Sequence, residues 1–234
     1  MDPQIWGFWP KPREVDRGSI PLSDDGAPKL DLQGYQDREI ALGRASGGCP
    51  EDYTAIARES LGSPQDLAPE TLVFMAMLSR ARGLQEGVFQ ALKADNPHAA
   101  FPLLRAFTEL VAVLYYCLQK PKYVARLAGI GAGSEKSYLQ FRQLFEAVSD
   151  VLPGMKSVYS ELSAYTHFEQ LAVYNVHTIE DISDRSISWT DVPRWKSEDE
   201  FRIACAQLSE LSEAVRHGLR RFAAEILCND PGSE

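Results

Sequence analysis

Apolar residues recur at helical spacing along most of the chain after residue 50. The longest stripe runs from Phe201 to Ile226, where apolar residues follow one another in steps of three and four. This period matches the 3.6 residues per turn of an α-helix with one buried face. It predicts a long C-terminal helix over about residues 197–227. Shorter stretches with the same period predict helices at about residues 51–61, 70–94, 97–119, 121–127, 134–151 and 155–168.

Proline residues mark where several of these helices begin. Pro69 and Pro97 each stand at the first position of a predicted helix, where proline has no hydrogen bond to lose. Between the last two helices, residues 170–195 show alternating polar and apolar positions with β-branched side chains, which predicts a short β-hairpin. The pattern predicts a mainly α protein, a helical bundle of about five main helices with a short β-hairpin before the C-terminal helix.

Residues 1–50 differ from the rest, since they hold six prolines and show no sustained period. They are predicted to form an extended N-terminal arm, followed by a helical bundle domain over residues 51–234. The arm carries three large aromatic side chains, Trp6, Phe8 and Trp9, which are too apolar for a free tail. Two interpretations stay open: the aromatic segment packs across the bundle, or it contacts a second subunit.

The composition is that of a folded globular chain. Hydrophobic residues make up 44% of the 234 positions, and the formal net charge is −9. The longest uninterrupted apolar run, residues 110–118, is far shorter than the ~20 residues that cross a bilayer, so we expect no membrane span. The N-terminus lacks the basic and apolar regions of a signal peptide.

The cysteines and the charge distribution narrow the class of protein further. None of the four cysteines forms a CxxC pair, which favours reduced thiols in a cytoplasm over a disulfide framework or a zinc site. We therefore expect a cytoplasmic protein, and no spacing of ligand residues predicts a metal or another cofactor. The acidic balance argues against a general nucleic-acid coat. However, residues 105–156 carry seven basic and four acidic side chains, so a local basic surface is kept as a hypothesis.

The most informative positions are two charges in an otherwise apolar helix. Between residues 99 and 118 the only charged side chains are Arg105 and Glu109. A spacing of four places both on one face, and in a helix buried on most sides they should be paired, because either charge alone is costly to desolvate. Two hypotheses follow: a buried structural ion pair, or an arginine that orients an anion and is held by its glutamate.

A second polar stripe lies on the helix predicted over residues 155–168. Tyr159, Ser163 and His167 recur at steps of four on one face. One interpretation is structural, with a histidine satisfied at a helix end. The alternative is that this stripe faces Arg105 and Glu109 across a helix pair. Imidazole is an acid or base near neutral pH, and arginine stabilises a developing anion.

These two motifs carry a resemblance. The segment LLRAFTEL, followed about 50 residues later by Y-x-x-L-S-x-x-x-H, resembles a widespread bacterial family of uncharacterised helical proteins. The likeness spans roughly residues 68–228, and the motif positions are Arg105, Glu109, Tyr159, Ser163 and His167. The family has no settled activity, and its helical plan is similar to that of the HEPN superfamily of RNA-cleaving bundles. No R-x4–6-H spacing of HEPN nucleases occurs here, so Arg105 and His167 would converge from separate helices.

The five motif residues lead to two hypotheses of different classes. The first is a non-enzymatic module, in which the cluster fixes helix register or holds a small anion. The second is a HEPN-like, metal-independent ribonuclease or defence effector, with His167 as acid/base and Arg105 as phosphate stabiliser. The expected partners are a small anion or RNA, and no membrane. A homodimer through the aromatic arm or the long helices is a further hypothesis.

Overall fold

The computed structural model describes residues 32–47, 50–61, 68–129, 140–167, 177–181, 186–189 and 191–228. In these ranges the chain is mostly helical, which confirms the prediction of a mainly α protein. Eight α-helices lie in the described residues: α1 (Arg38–Ala45), α2 (Pro50–Leu61), α3 (Pro69–Lys93), α4 (Pro97–Gln119), α5 (Lys122–Leu127), α6 (Phe141–Val148), α7 (Met155–Thr166) and α8 (Glu198–Phe222). A 3-10 turn (Gln33–Tyr35) precedes α1, and a π-helical turn (Ala223–Leu227) follows α8.

Two short strands lie between α7 and α8. Strand β1 (His177–Asp181) pairs antiparallel with β2 (Ser186–Trp189), and the pairing is irregular between Ile179 and Asp181. They fall inside the segment predicted as a hairpin. The predicted architecture of five main helices and a hairpin is therefore matched only roughly, because short helices add to the count.

Helices α3 and α4 form an antiparallel pair, and the residue types at the turn between them account for its conformation. Asp95 adopts a left-handed conformation (φ 57°), and the side chain of Asn96 accepts a hydrogen bond from the backbone N–H of Ala99 at 3.1 Å. This is the ordinary capping of a helix start by asparagine. Farther along the pair, Gly87 lies against the side chain of Leu103, which sets the register of the two helices.

Helix α4 lies at the centre of the bundle and packs against α3, α7 and α8. Its approach to α8 depends on Gly218, because a side chain there would meet Leu114 Cδ2 at 2.7 Å and Tyr115 Cε2 at 3.1 Å. By length and composition α4 also meets the criteria for a membrane span, with a mean hydropathy of 1.5. The core helix of a soluble protein passes the same test, and 56% of this apolar window is buried inside the bundle.

Helix α7 packs antiparallel on α4, as two contacts one turn apart on α4 show. Arg105 reaches Tyr159, whereas Phe101, earlier on α4, stacks on Tyr165, later on α7, with ring centroids 4.1 Å apart. The ring of Trp195, just before α8, packs edge-on against Phe101, with ring centroids 5.3 Å apart. The three elements therefore meet around an aromatic group at the N-terminal half of α4.

The extended arm predicted over residues 1–50 is the main difference between sequence and structure. Residues 38–45 are helical, and Ala41 and Ala45 of α1 are fully buried against the bundle. Arg38 pairs with Asp95 at 2.7 Å and with Glu198 at 3.0 Å, so α1 links the α3–α4 turn to the start of α8. The prediction of an extended chain was wrong for this part, because tertiary contacts stabilise a helix that lacks an apolar stripe.

Some predictions fall outside the described residues. These are the aromatic segment with Trp6, Phe8 and Trp9, and the start of the helix expected from residue 134. Among the described residues of that prediction, helix α6 begins at Phe141, and Gln140 before it is the N-cap in an extended conformation.

Candidate functional site

Arg105, Glu109 and Tyr159 meet where α4 packs on α7. Arg105 Nη2 donates to the Tyr159 hydroxyl at 2.8 Å and lies 3.2 Å from Glu109 Oε1. The guanidinium also lies over the Tyr159 ring, 5.1 Å from its centroid. The two charged side chains are only 22% and 17% exposed, so each charge is largely screened from water and is balanced by the other. We call these three residues the Arg105 triad.

Two polar atoms in and beside the triad have no hydrogen-bond partner among the described residues. They are Arg105 Nε and Ser163 Oγ, and both are buried. Ser163 lies one helical turn beyond Tyr159 on α7, so it shares the face of the triad but makes no side-chain hydrogen bond there. A buried hydroxyl without a partner costs free energy rather than stabilising the helix pair.

His167 lies away from the triad. It is the C-cap of α7, it is exposed, and its backbone N–H donates to the Ser163 carbonyl at 2.9 Å. From Tyr159 to His167 the chain rises about 12 Å along the helix axis. Because α7 runs antiparallel to α4, His167 lies beyond Phe101, toward the N-terminal end of α4. The structure thus brings three of the five motif residues together, adds Ser163 nearby, and leaves His167 at the helix end.

A pocket of about 310 Å³ lies beside the triad, on the surface of the α3–α4 pair. Each of the two helices contributes four residues at spacings of three, one and three, which is one face of a helix. Leu127 of α5 and Phe141 of α6 form the remaining described walls. The helix residues that line it are Val73, Ala76, Met77 and Arg80 on α3 and Ala106, Glu109, Leu110 and Val113 on α4.

The described lining of the pocket holds two charges in different electrostatic situations. Glu109 is neutralised by Arg105, at 3.2 Å. Arg80 is exposed and forms no ion pair within the described residues. The remaining described lining is apolar, and pockets with an apolar lining and few polar groups are typical small-molecule sites.

The Arg105 triad connects two walls of this pocket. Glu109 belongs both to the triad and to the lining. On the other side, Phe141 belongs to the lining and its ring lies 6.0 Å from that of Tyr159. Tyr159 also packs on Phe145, with ring centroids 4.6 Å apart. Tyr159 therefore supports the wall that contains Glu109 through Arg105, and it supports the wall that contains Phe141 through its own ring.

A second acidic group, in the middle of α8, has no such partner among the described residues. Glu210 Oε2 is buried and has no hydrogen-bond partner in the part of the chain that the structure describes. Burial, with a smaller contribution from the nearby Glu213 carboxylate, raises the pKa of Glu210 to about 7. This group was not singled out from the sequence, where it appears as one glutamate of a charged helix face.

The pocket was also missed from the sequence, although its two helices were predicted. Arg80 and Phe141 were not among the candidate residues. The signal that could have found them is the matching spacing of the two stripes on α3 and α4, yet that spacing is equally typical of core residues.

The cysteines and other potential metal ligands offer no further site in the described part of the chain. Cys117 and Cys205 are free and buried, and burial raises the pKa of each thiol to about 12. No group of three or more His, Cys, Asp or Glu residues is placed to hold a metal ion in these ranges.

Comparison with protein-family models, curated proteins and solved structures found no match to this chain.

Proposed function

We propose that this helical bundle, organised around five main helices, is a non-catalytic binding module for a small molecule, held in the pocket between α3 and α4. The observation that carries the proposal is the double role of Glu109 and Phe141. Both line the pocket, and both are held in place through Tyr159. The triad that the sequence singles out thus acts as a support for the pocket walls.

The arrangement of the five motif residues favours binding over catalysis. A general acid or base has to lie within hydrogen-bond reach of the reacting group. His167 is separated from Tyr159 by about 12 Å along α7, and the Arg105 guanidinium is already engaged by Glu109 and Tyr159. An arginine committed to a carboxylate and a hydroxyl has less charge to offer to a phosphate.

The test uses N-phenyl-1-naphthylamine, a neutral apolar probe whose fluorescence rises on burial. We expect the full-length protein to bind it saturably, at one site per chain. In Ala76→Trp the new indole occupies the pocket, so the affinity should fall at least about tenfold. Met75→Trp is the matched control, because Met75 directly precedes Ala76 on α3, is 48% exposed and is not among the residues that line the pocket.

Absence of saturable binding by the wild-type protein would contradict the proposal. Equal loss in Ala76→Trp and Met75→Trp would also contradict it, since the probe would then lie elsewhere on α3. Circular dichroism melts of all three proteins separate a blocked pocket from an unfolded chain.

The ribonuclease hypothesis makes the opposite prediction and is tested in parallel. It requires purified protein to cleave RNA, and it requires His167→Ala to abolish cleavage without lowering the melting temperature. Under the binding proposal, varied RNAs stay intact between about pH 5 and 9. Cleavage that is lost in both His167→Ala and Arg105→Lys would replace the binding proposal with the nuclease.

A further inference from the structure

We infer that the ligand of this pocket is a small amphiphile with one anionic group, held by Arg80, and an apolar body that lies along the α3–α4 groove. This inference rests on the proposed function and specifies its ligand class. It follows from the charges of the pocket, their position along the groove, and the volume.

The balance of charge at the pocket is positive. Glu109 and Arg105 neutralise each other at 3.2 Å. Arg80 has no acidic partner among the described residues, so within the described lining one positive charge is uncompensated. A ligand that brings a carboxylate or another anion pairs this charge, whereas an ammonium group would have to compete with Arg105 for Glu109.

The register of the helix pair places this charge relative to the apolar part. Gly87 lies against Leu103. Because the helices are antiparallel, Arg80, seven residues before Gly87, lies level with Leu110, seven residues after Leu103. Arg80 and Glu109 therefore lie across the groove from each other.

The apolar part of the groove extends from this charged level in one main direction. Val73, Ala76 and Met77 of α3 lie there, opposite Val113 of α4. A ligand with its head at Arg80 can thus bury its apolar body along this stripe, where removal from water supplies most of the affinity.

The volume sets the size of the body. A pocket of about 310 Å³ is at the small end of ligand sites. At about 30 Å³ per water-sized group, the part of a ligand inside the groove amounts to roughly ten non-hydrogen atoms. Because the groove is open to solvent, a larger molecule such as N-phenyl-1-naphthylamine enters with part of its structure outside. Octanoate has this size and has the required combination of one carboxylate and an unbranched apolar chain.

The experiment is a competition against N-phenyl-1-naphthylamine with three probes of equal chain length: octanoate, 1-octanol and octylammonium. We expect octanoate to displace the fluorescent probe with an inhibition constant about five- to tenfold lower than that of octanol. Octylammonium should be the weakest. Arg80→Gln should remove the advantage of octanoate over octanol, so that the two compete about equally against the neutral fluorescent probe.

Arg82→Gln is the matched control, because Arg82 is exposed on the same helix, carries the same charge and does not line the pocket. It should retain the octanoate preference. If octanol and octanoate compete equally in the wild-type protein, the ligand class is wrong while the binding module stands. If no fluorescent probe binds, the proposed function itself fails. A wild-type protein that dimerises and loses probe binding as its concentration rises would assign the groove to a second copy of the chain, which also overturns the inference.

Discussion

Glu109 on α4 and Glu210 on α8 are both glutamates with little access to water, but the charged side chains next to them have opposite signs. Glu109 has Arg105 one turn earlier on its own helix, and the pair shares Tyr159 of α7. Glu210 has Glu213 nearby and a buried oxygen without a partner. The first carboxylate lies in an ion pair, whereas burial raises the pKa of the second to about 7.

The comparison teaches that the neighbour at helical spacing decides what a desolvated carboxyl can do. An opposite charge four residues away offsets the cost of desolvation, and a like charge three residues away adds to it. The charged, paired glutamate is the one that forms part of the pocket wall. A permanent ion pair suits a wall that has to stay in place for a ligand.

Removing the cation of the Arg105–Glu109 ion pair should give the largest effect on stability. Arg105→Ala leaves the Glu109 carboxylate with reduced access to water and without its cation, and it removes the partner of the Tyr159 hydroxyl. We expect the free energy of unfolding at pH 7 to fall by about 2–3 kcal/mol, below the cost of breaking a fully buried pair because both side chains keep some exposure. Urea denaturation measures this change, and Arg82→Ala on the exposed face of α3 is the control, with an expected change within about 0.5 kcal/mol.

The double variant Arg105→Met/Glu109→Leu tests whether the cost of Arg105→Ala comes from the unpaired Glu109 carboxylate. It removes both charges at once, so it should recover at least about 1 kcal/mol relative to Arg105→Ala. A double variant that is less stable than Arg105→Ala would show that the two side chains do not stabilise each other.

Removing the charge of Glu210 should raise the stability of the protein, by an amount that depends on pH. Because the pKa of Glu210 is higher in the folded than in the unfolded chain, the folded state binds more protons between about pH 4.5 and 7. Stability contributed by the protonated form is complete below about pH 4.5 and is lost as pH rises toward 7. Glu210→Gln should therefore match the wild type near pH 4.5 and be more stable at pH 8, by about 2 kcal/mol.

Thermal melts from pH 4.5 to 8 measure this difference, with Glu213→Gln as the companion variant. Glu213 is exposed, and its removal takes away the like charge, so the loss of stability should move to lower pH without disappearing. A wild type and a Glu210→Gln variant with parallel pH profiles would contradict the assignment of Glu210 as the titrating group.

The smallest effects should come from the two hydroxyls on α7. Tyr159→Phe loses the hydrogen bond to Arg105 but keeps the ring contacts with Phe141 and Phe145, so we expect about 1 kcal/mol of destabilisation. Ser163→Ala loses no hydrogen bond, because its Oγ has no partner, and it should be neutral or slightly stabilising. Urea denaturation that ranks Ser163→Ala as the more damaging change would reverse this assignment.

The sequence was sufficient where the determining contacts are local. The start of α4 follows from Asn96 and Pro97, and the pairing of Arg105 with Glu109 is a contact between residues one turn apart. The partnership with Tyr159 could be proposed because both polar stripes stand out in apolar helices.

What the sequence could not supply depends on how the helices are arranged. The position of His167 follows from the direction of α7 on α4, which no local pattern specifies. Helix α1 has no apolar stripe and is held by Arg38, which reaches Asp95 and Glu198, 57 and 160 residues later in the sequence. The pocket is likewise a tertiary property, because the stripe that contains Val73 and Met77 would look the same if another helix covered it.

The most direct test of the binding site is a crystal structure of the full-length protein grown with octanoate. We expect the acyl chain to lie between Met77 and Val113, with its carboxylate about 3 Å from the guanidinium of Arg80 and the contact between Arg105 and Tyr159 intact. Octanoate bound only elsewhere, or a groove filled by side chains of the protein itself, would contradict the proposal that this pocket is the functional site.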